Sequence, residues 1–312
     1  MLSYVLRRLA GAIPTIFFVV LISFIMVHMT PGDPFSTERA LSPEVLKQLH
    51  HQYRLDLPLW QQFLYYLNDL IHGNLGYSYK YQGMSINQLV FPLGAQGGFW
   101  VSVQLGLCSI AIASIIGVFF GVLSALSRNT RLNAIDHAMS IIAMLFISTP
   151  IVVTAPIAVL IFAVWLGMFP AGGWGSLTHM VLPAMVLAIP YIAIITQITR
   201  SSLIEILSSP FIRTAKAKGL SMPSIVWKHA LKPALMPVVS FLGPAIAGIL
   251  TGSVIVETVY TIPGIGVQVV QGATNRDYNL VLALTIIYSL LVILFNLIVD
   301  IVYAFLDPKI RY

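Results

Sequence analysis

HAMSIIAMLFISTPIVVTAPIAVLIFAVWLGMFPAGGWGSLTHMVLPAMVLAIPYIAIITQIT, residues 137–199, runs for 63 positions without an Asp, Glu, Lys or Arg. A helix rises about 1.5 Å per residue, so about 20 apolar residues cross the hydrocarbon core of a bilayer. The tract is too long for one crossing, and Gly172, Gly173 and Gly175 around Trp174 interrupt it, so it divides into two helices, near 138–166 and 179–199, joined by a short loop. Residues 9–32, 81–127, 233–256 and 278–299 are equally free of charge and place further spans near 9–29, 100–126, 233–256 and 280–303. Of the 312 residues 58% are hydrophobic and 9% charged, with a mean hydropathy of +0.88. Soluble domains carry roughly 25% charged residues, which excludes a water-soluble enzyme. The chain reads as an all-α polytopic membrane protein with six transmembrane helices.

An even number of spans puts both termini on one side, and the basic residues choose the side. Arg7, Arg8, Arg128, Arg131, Arg200, Arg213, Lys216, Lys218, Lys228, Lys232, Lys309 and Arg311 fall on one face, twelve of the seventeen Lys and Arg residues. Arg39, Lys47, Arg54, Lys80 and Arg276, the other five, fall on the opposite face. By the positive-inside rule the twelve-residue face is expected to be cytoplasmic. The net charge of +6 therefore expresses topology, and with no basic patch interleaved with aromatics on one folded surface, nucleic acid is not an expected partner. The first apolar tract has a positive flank but no A-x-A-like site after it, so it is read as an uncleaved span. Cys108 is the only cysteine, which rules out an internal disulfide and any CxxC metal site.

Residues 1–29 then form the N-terminus and first span, 30–98 an extracytoplasmic insertion, and 99–312 a five-helix core with a cytoplasmic loop at 200–232. The insertion reads as folded. Ser42-Pro43-Glu44 supplies an N-cap, a proline at the first helical position and an acid in the first turn. A second helix is expected from near Pro58, with Trp60, Phe63, Leu64, Leu67, Leu70 and Ile71 at helical spacing and Gly73 at its end. Such an insertion serves either as a stabilising cap or as a docking surface or lid. The adjacent His50 and His51 point differently on a helix and are read as solvated side chains rather than a metal pair.

The loop reads RSSLIEILSSPFIRTAKAKGLSMPSIVWKHALKP from Arg200. Ile212 to Lys218 suits a short helix with small residues on one side, stopped by Gly219, and Ser221-Met222-Pro223 starts another. Ion coupling needs ionisable groups at membrane depth. The third and fourth predicted spans hold none beyond His179 at an edge and His137 just outside, and Glu257 and Asp300 fall near span ends, so a secondary transporter is poorly supported. An intramembrane enzyme is equally poorly supported, since HExxH and GxSxG are absent. Pro263-Gly264-Ile265-Gly266 lacks the lysine of a phosphate loop, so this chain is not expected to bind ATP. Gly117-x-x-x-Gly121 is a common small-residue packing pattern.

Arg213-Thr214-Ala215-Lys216-Ala217-Lys218-Gly219, followed by Ile225 and Leu231-Lys232-Pro233, resembles the EAA loop of permease subunits of bacterial ABC importers. The general pattern opens Glu-Ala-Ala where this chain has Arg213-Thr214-Ala215, a form similar to the peptide and nickel branch. LRRLAGAIPTIF, MTPGDPF, Gly252 to Thr258, Pro263 to Gly266, Asn275-Arg276-Asp277-Tyr278 and Leu306 to Tyr312 resemble oligopeptide-permease B subunits, in the same order. The resemblance implies the type I ABC importer permease fold and import of oligopeptides, with dipeptide, nickel or glutathione permeases as relatives of similar appearance. It implies a bacterial cytoplasmic membrane location, a homologous second permease of the C type, two cytoplasmic ATPase subunits that hold ATP and Mg, and an extracytoplasmic peptide-binding protein. Residues 213–219 would be the ATPase-coupling helix.

Overall fold

The computed structural model describes residues 2–30, 35, 42–81, 83–92, 97–128 and 130–306. Pro31 to Pro34, Asp307 to Tyr312 and the basic residues Arg39, Lys309 and Arg311 therefore lie outside the described residues. The elements in chain order are α1 (Leu2–Met29), α2 (Pro43–Gln52), α3 (Leu59–Ile71), α4 (Ile86–Val90), α5 (Gly98–Ser127), α6 (Asn133–Ser148) and α7 (Ile151–Ala158), which runs on as a π-helix over Val159–Trp165. Next come α8 (Leu177–Leu207), α9 (Pro210–Ala217), α10 (Met222–Ile225), a π-turn over Val226–Ala230, α11 (Leu231–Ala234), α12 (Met236–Val259), α13 (Ile265–Thr274) and α14 (Tyr278–Leu306). Segments of α1, α5, α8, α12 and α14 are each long and apolar enough to cross a bilayer.

The third predicted span, placed near 138–166 as one helix, is interrupted. It is a broken pair, α6 and α7, bent by 104°, and it completes the six when counted as one span. Proline disfavours the helical conformation of the residue before it, and Thr149 is extended at φ −92°, ψ 118° just ahead of Pro150. Ahead of the break, Ser148 Oγ donates one turn back to Met144 O at 2.8 Å and Thr149 Oγ1 to Leu145 O at 2.7 Å. The fourth span also extends beyond 179–199, because Arg200 finds a partner and Leu203 is buried. A criterion based on charge-free tracts ends that helix too early.

The chain divides into two compact units. The first contains the described residues of 102–262 and 292–306 with the start of α1, and is organised around α8, which packs on α6, α7 and α12. Gly117 and Gly121 are where α5 meets α8: a Cβ at Gly121 would stand 2.5 Å from Thr199 Cβ and 2.8 Å from Thr196 O. Small residues at this spacing let two membrane helices approach closely. Glu257, near the end of α12, is fully buried.

At one end of this unit α5, α6 and α8 are tied by a single carboxylate. Asp136 accepts from Arg200 Nε at 2.5 Å, from Arg200 Nη2 at 2.7 Å and from Ser124 Oγ at 2.5 Å. A bidentate guanidinium fixes orientation as well as charge. Removing one partner of a buried pair leaves an uncompensated charge and costs about 3–5 kcal/mol; the partly exposed Arg200 places this pair at the low end. Asp136→Ala is accordingly expected to lower stability by about 3 kcal/mol in denaturant titration. The double variant with Arg200→Ala should recover part of the loss, and additive losses would show that the two side chains act independently.

The second unit holds residues 6–101 and 263–291. Ser42 caps α2 by accepting from Val45 N, and Ser85 and Gln88 form a reciprocal capping box on α4. Phe35, Tyr53 and Tyr79 form an aromatic cluster with ring centroids 5.0–5.4 Å apart. Between α3 and α4, Tyr77 pairs with Ser85 in an antiparallel bridge.

Candidate functional site

The predicted loop helix is α9. Ser209 precedes it in an extended conformation, Pro210 occupies its first position, and Arg213 N bonds Ser209 O at 3.2 Å. Its end is a Schellman motif: Gly219 N donates to Lys216 O at 2.9 Å and Leu220 N to Ala215 O at 3.3 Å. Gly219 has φ +78°, the left-handed region that side chains with a branched Cβ strongly avoid. Lys216 and Lys218 sit where the helix dipole favours positive charge.

One face of α9 is buried in its own subunit. Ile212 and Ala215 join Ala125, Leu203, Ile225, Ala230 and Ala234 in a continuous apolar cluster, which fastens the helix to the ends of α5 and α8 and to α10 and α11. Arg213, Thr214, Lys216, Ala217, Lys218 and Gly219 are exposed. Six of the seven residues singled out from the sequence thus share the outer side, while Ala215 faces inward and serves internal packing.

Sequence reasoning did not pick out the apolar residues among these charges. Phe211 is 49% exposed, Met222 43% and Trp227 72%, with Leu220 beside them. Aromatic residues, Met and Arg are enriched in interface cores, and an exposed apolar patch in a loop marks a contact surface. The signal was present as Phe, Met and Trp in a segment too short and too basic to span a membrane.

A second cluster lies in the other unit, at Asp277 of the Asn275-Arg276-Asp277-Tyr278 string. Its fully buried carboxylate accepts from Ser78 Oγ, from Tyr79 N at 3.1 Å, from Lys80 N at 3.4 Å and from Leu280 N at 3.3 Å. Asn279 Nδ2 donates to Tyr77 O at 3.1 Å and Gln268 Nε2 to Leu89 O at 2.8 Å, so α13 and the start of α14 are bound to the insertion at several points. Burial pushes the Tyr79 phenol up, and the nearby Asp277 carboxylate pushes it the same way. His51 Nδ1 lies 2.9 Å from Asp56 Oδ2, and that hydrogen bond holds the exposed Asp56 carboxyl below its ordinary value. His51 is thus tied to Asp56.

The fold is similar to that of chains in two solved ABC transporters. A chain of the MetNI methionine ABC transporter in its inward-facing conformations matches with a TM-score of 0.55 at 21% identity, over 67% of this chain and 94% of that one. A chain of a bacterial ABC transporter involved in import of the acidic polysaccharide alginate also gives 0.55, at 15% identity, over 86% and 99%. Identities this low define the fold alone. The family model described as the inner membrane component of binding-protein-dependent transport systems matches residues 117–312, and that of the N-terminal part of such components matches residues 1–85. The chain belongs to this family of binding-protein-dependent transport system inner membrane components. It is 48% identical to the oligopeptide transport system permease protein OppB of Haemophilus influenzae and 50% identical to that of Salmonella typhimurium, each over the whole of both chains. It is 41% identical to the dipeptide transport system permease protein DppB of Bacillus subtilis, over 100% of this chain and 98% of that one.

The Asp277 cluster makes a local prediction. Asp277→Ala strips one hydroxyl and three backbone N–H groups of their acceptor, and each buried donor left unpaired costs about 1–3 kcal/mol. Amide hydrogen exchange should accelerate at Tyr79, Lys80 and Leu280 and remain unchanged in α9. Protection unchanged at all three would mean that the carboxylate does not hold the segment.

Proposed function

We propose that this chain is the B-type permease of an ATP-driven oligopeptide importer of the bacterial cytoplasmic membrane. Its partners in that reading are a homologous C-type permease, two cytoplasmic ATPase subunits and an extracytoplasmic peptide-binding protein. The observation that carries the substrate class is the 48–50% identity, end to end, to oligopeptide transport permeases of two bacteria. The lower identity to a dipeptide permease makes dipeptides the second reading.

The twelve-residue basic face is assigned to the cytoplasm, which places both termini and α9 there. The exposed basic side of α9 is then the coupling surface. Arg213, Lys216 and Lys218 offer donors to the ATPase, Ala217 permits close approach, and Phe211 and Met222 supply apolar contact. The buried side passes the motion on. Ile212 and Ala215 are packed against residues of α5 and α8, so displacement of α9 by closure of the ATPase pair tilts these spans and switches the passage between inward-facing and outward-facing. ATP and Mg belong to the ATPase subunits, and this chain contributes no catalytic group.

Two measurements test this. Gly219→Val forces a branched side chain into a left-handed backbone position at a cost of about 1–3 kcal/mol. Insertion and subunit assembly should persist while peptide uptake falls and ATP hydrolysis loses its dependence on loaded binding protein; normal uptake at normal expression overturns the coupling role. A deletion strain should lose uptake of labelled tri- to pentapeptides and regain it with this chain. Restoration of dipeptide uptake alone would favour the second reading.

A further inference from the structure

α3 has three faces. At about 100° per residue, Phe63, Tyr66 and Leu70 form one sector, and its rings pack on α1: Phe63 lies 5.2 Å from Phe24 and 6.2 Å from Phe17, and Tyr66 lies 6.2 Å from Phe24, between ring centroids. Gln61, Gln62, Tyr65, Asn68 and Asp69 form a polar sector. There Arg54 stacks over the Tyr65 ring at 4.5 Å and pairs with Asp69 at 3.6 Å. Between the two lies a third sector, Trp60, Leu64, Leu67 and Ile71, which is apolar yet largely uncovered, with Trp60 62% and Ile71 82% exposed.

The ring contacts set the level of this helix along α1. Phe17 and Phe24 both belong to the Ala10–Met29 membrane span. Phe63 touches both, so it stands level with the residues midway between them, inside the apolar stretch of α1. The sequence agrees, since no charged residue or histidine occurs from Leu57 to Asn68. Amphipathic helices that lie in the membrane plane bury their apolar face about 5–10 Å into the boundary, and Trp and Tyr are enriched at that level.

We infer that α3 is an in-plane membrane helix whose Trp60, Leu64 and Ile71 stripe packs against acyl chains in the leaflet at the Met29 end of α1, with the Arg54–Asp69 edge at headgroup level. The insertion is thereby anchored on the bilayer as well as on its own chain. α3 is then unavailable as a docking surface for a soluble binding protein.

The test uses the full chain, assembled with its co-purifying subunits in nanodiscs of phosphatidylcholine and phosphatidylglycerol. Nitroxide labels are placed at Leu64→Cys and Ile71→Cys in a Cys108→Ala background, with Lys47→Cys as the exposed reference on α2. Collision with oxygen should exceed collision with a water-soluble nickel chelate severalfold at 64 and 71, and the order should reverse at 47. Nickel accessibility at 64 and 71 equal to that at 47 overturns the inference in favour of an aqueous face. Loss of collision with both reagents overturns it in favour of a protein partner. Should the labelled variants fail to assemble, the native Trp60 serves: brominated lipid should quench a component of the fluorescence that Trp60→Phe removes, and an identical quenched fraction in both proteins overturns the inference.

Discussion

Hydrocarbon offers no hydrogen-bond partner, and each backbone N–H or C=O left unpaired there costs several kcal/mol. That constraint explains why the long spans are continuous helices. At Thr149 and Pro150 the ladder stops, and the hydroxyls of Ser148 and Thr149 bond back to Met144 O and Leu145 O of α6. The same constraint governs charge. Asp136, in the first turn of α6, and Arg200, within α8, are retained as a paired group that also fixes α5 through Ser124. Asp277 is retained as a buried carboxylate because hydrogen-bond donors from both its own helix and the insertion converge on it.

In the proposed reading, energy for transport arrives from outside the spans, and α9 is the element assigned to receive it. Its inner face continues the apolar packing of the first unit through Ile212 and Ala215, while its outer face alternates basic side chains with Phe211, Ala217 and Met222. A helix that is rigidly seated on one side and open on the other transmits displacement without unfolding. The Schellman end at Gly219 keeps it short and sets the direction of the chain toward α10.

Much of this was legible in the sequence because its period and punctuation are unambiguous. Charge-free tracts located five spans and the broken sixth, Pro58 and Gly73 bracketed α3, and Pro210 and Gly219 bracket α9. The rest depends on contacts between residues far apart in the chain. Nothing local marks Thr149 as the site of a 104° bend rather than a mild kink. Nor does the sequence reveal that Asp136 meets Arg200, or that Asp277 reaches Ser78. Among the seven residues of the loop motif, small size alone made Ala215 and Ala217 look equivalent; the helix register turns one into the core and the other outward. The apolar residues of α3 were visible as a helical stripe, yet only the contacts of Phe63 and Tyr66 with Phe17 and Phe24 locate the helix along α1.

The difference between those two alanines gives the sharpest test of the coupling surface. Cysteines introduced at Ala215 and Ala217, in a chain lacking Cys108 and assembled with its ATPase subunits, would be treated with a short thiol-to-amine crosslinker. Crosslinking to the ATPase from position 217 with none from 215 is the predicted result. Crosslinking from 215 alone, or none from 217 in an assembly that still hydrolyses ATP, would contradict the assignment of α9 as the point where the energy of hydrolysis enters this subunit.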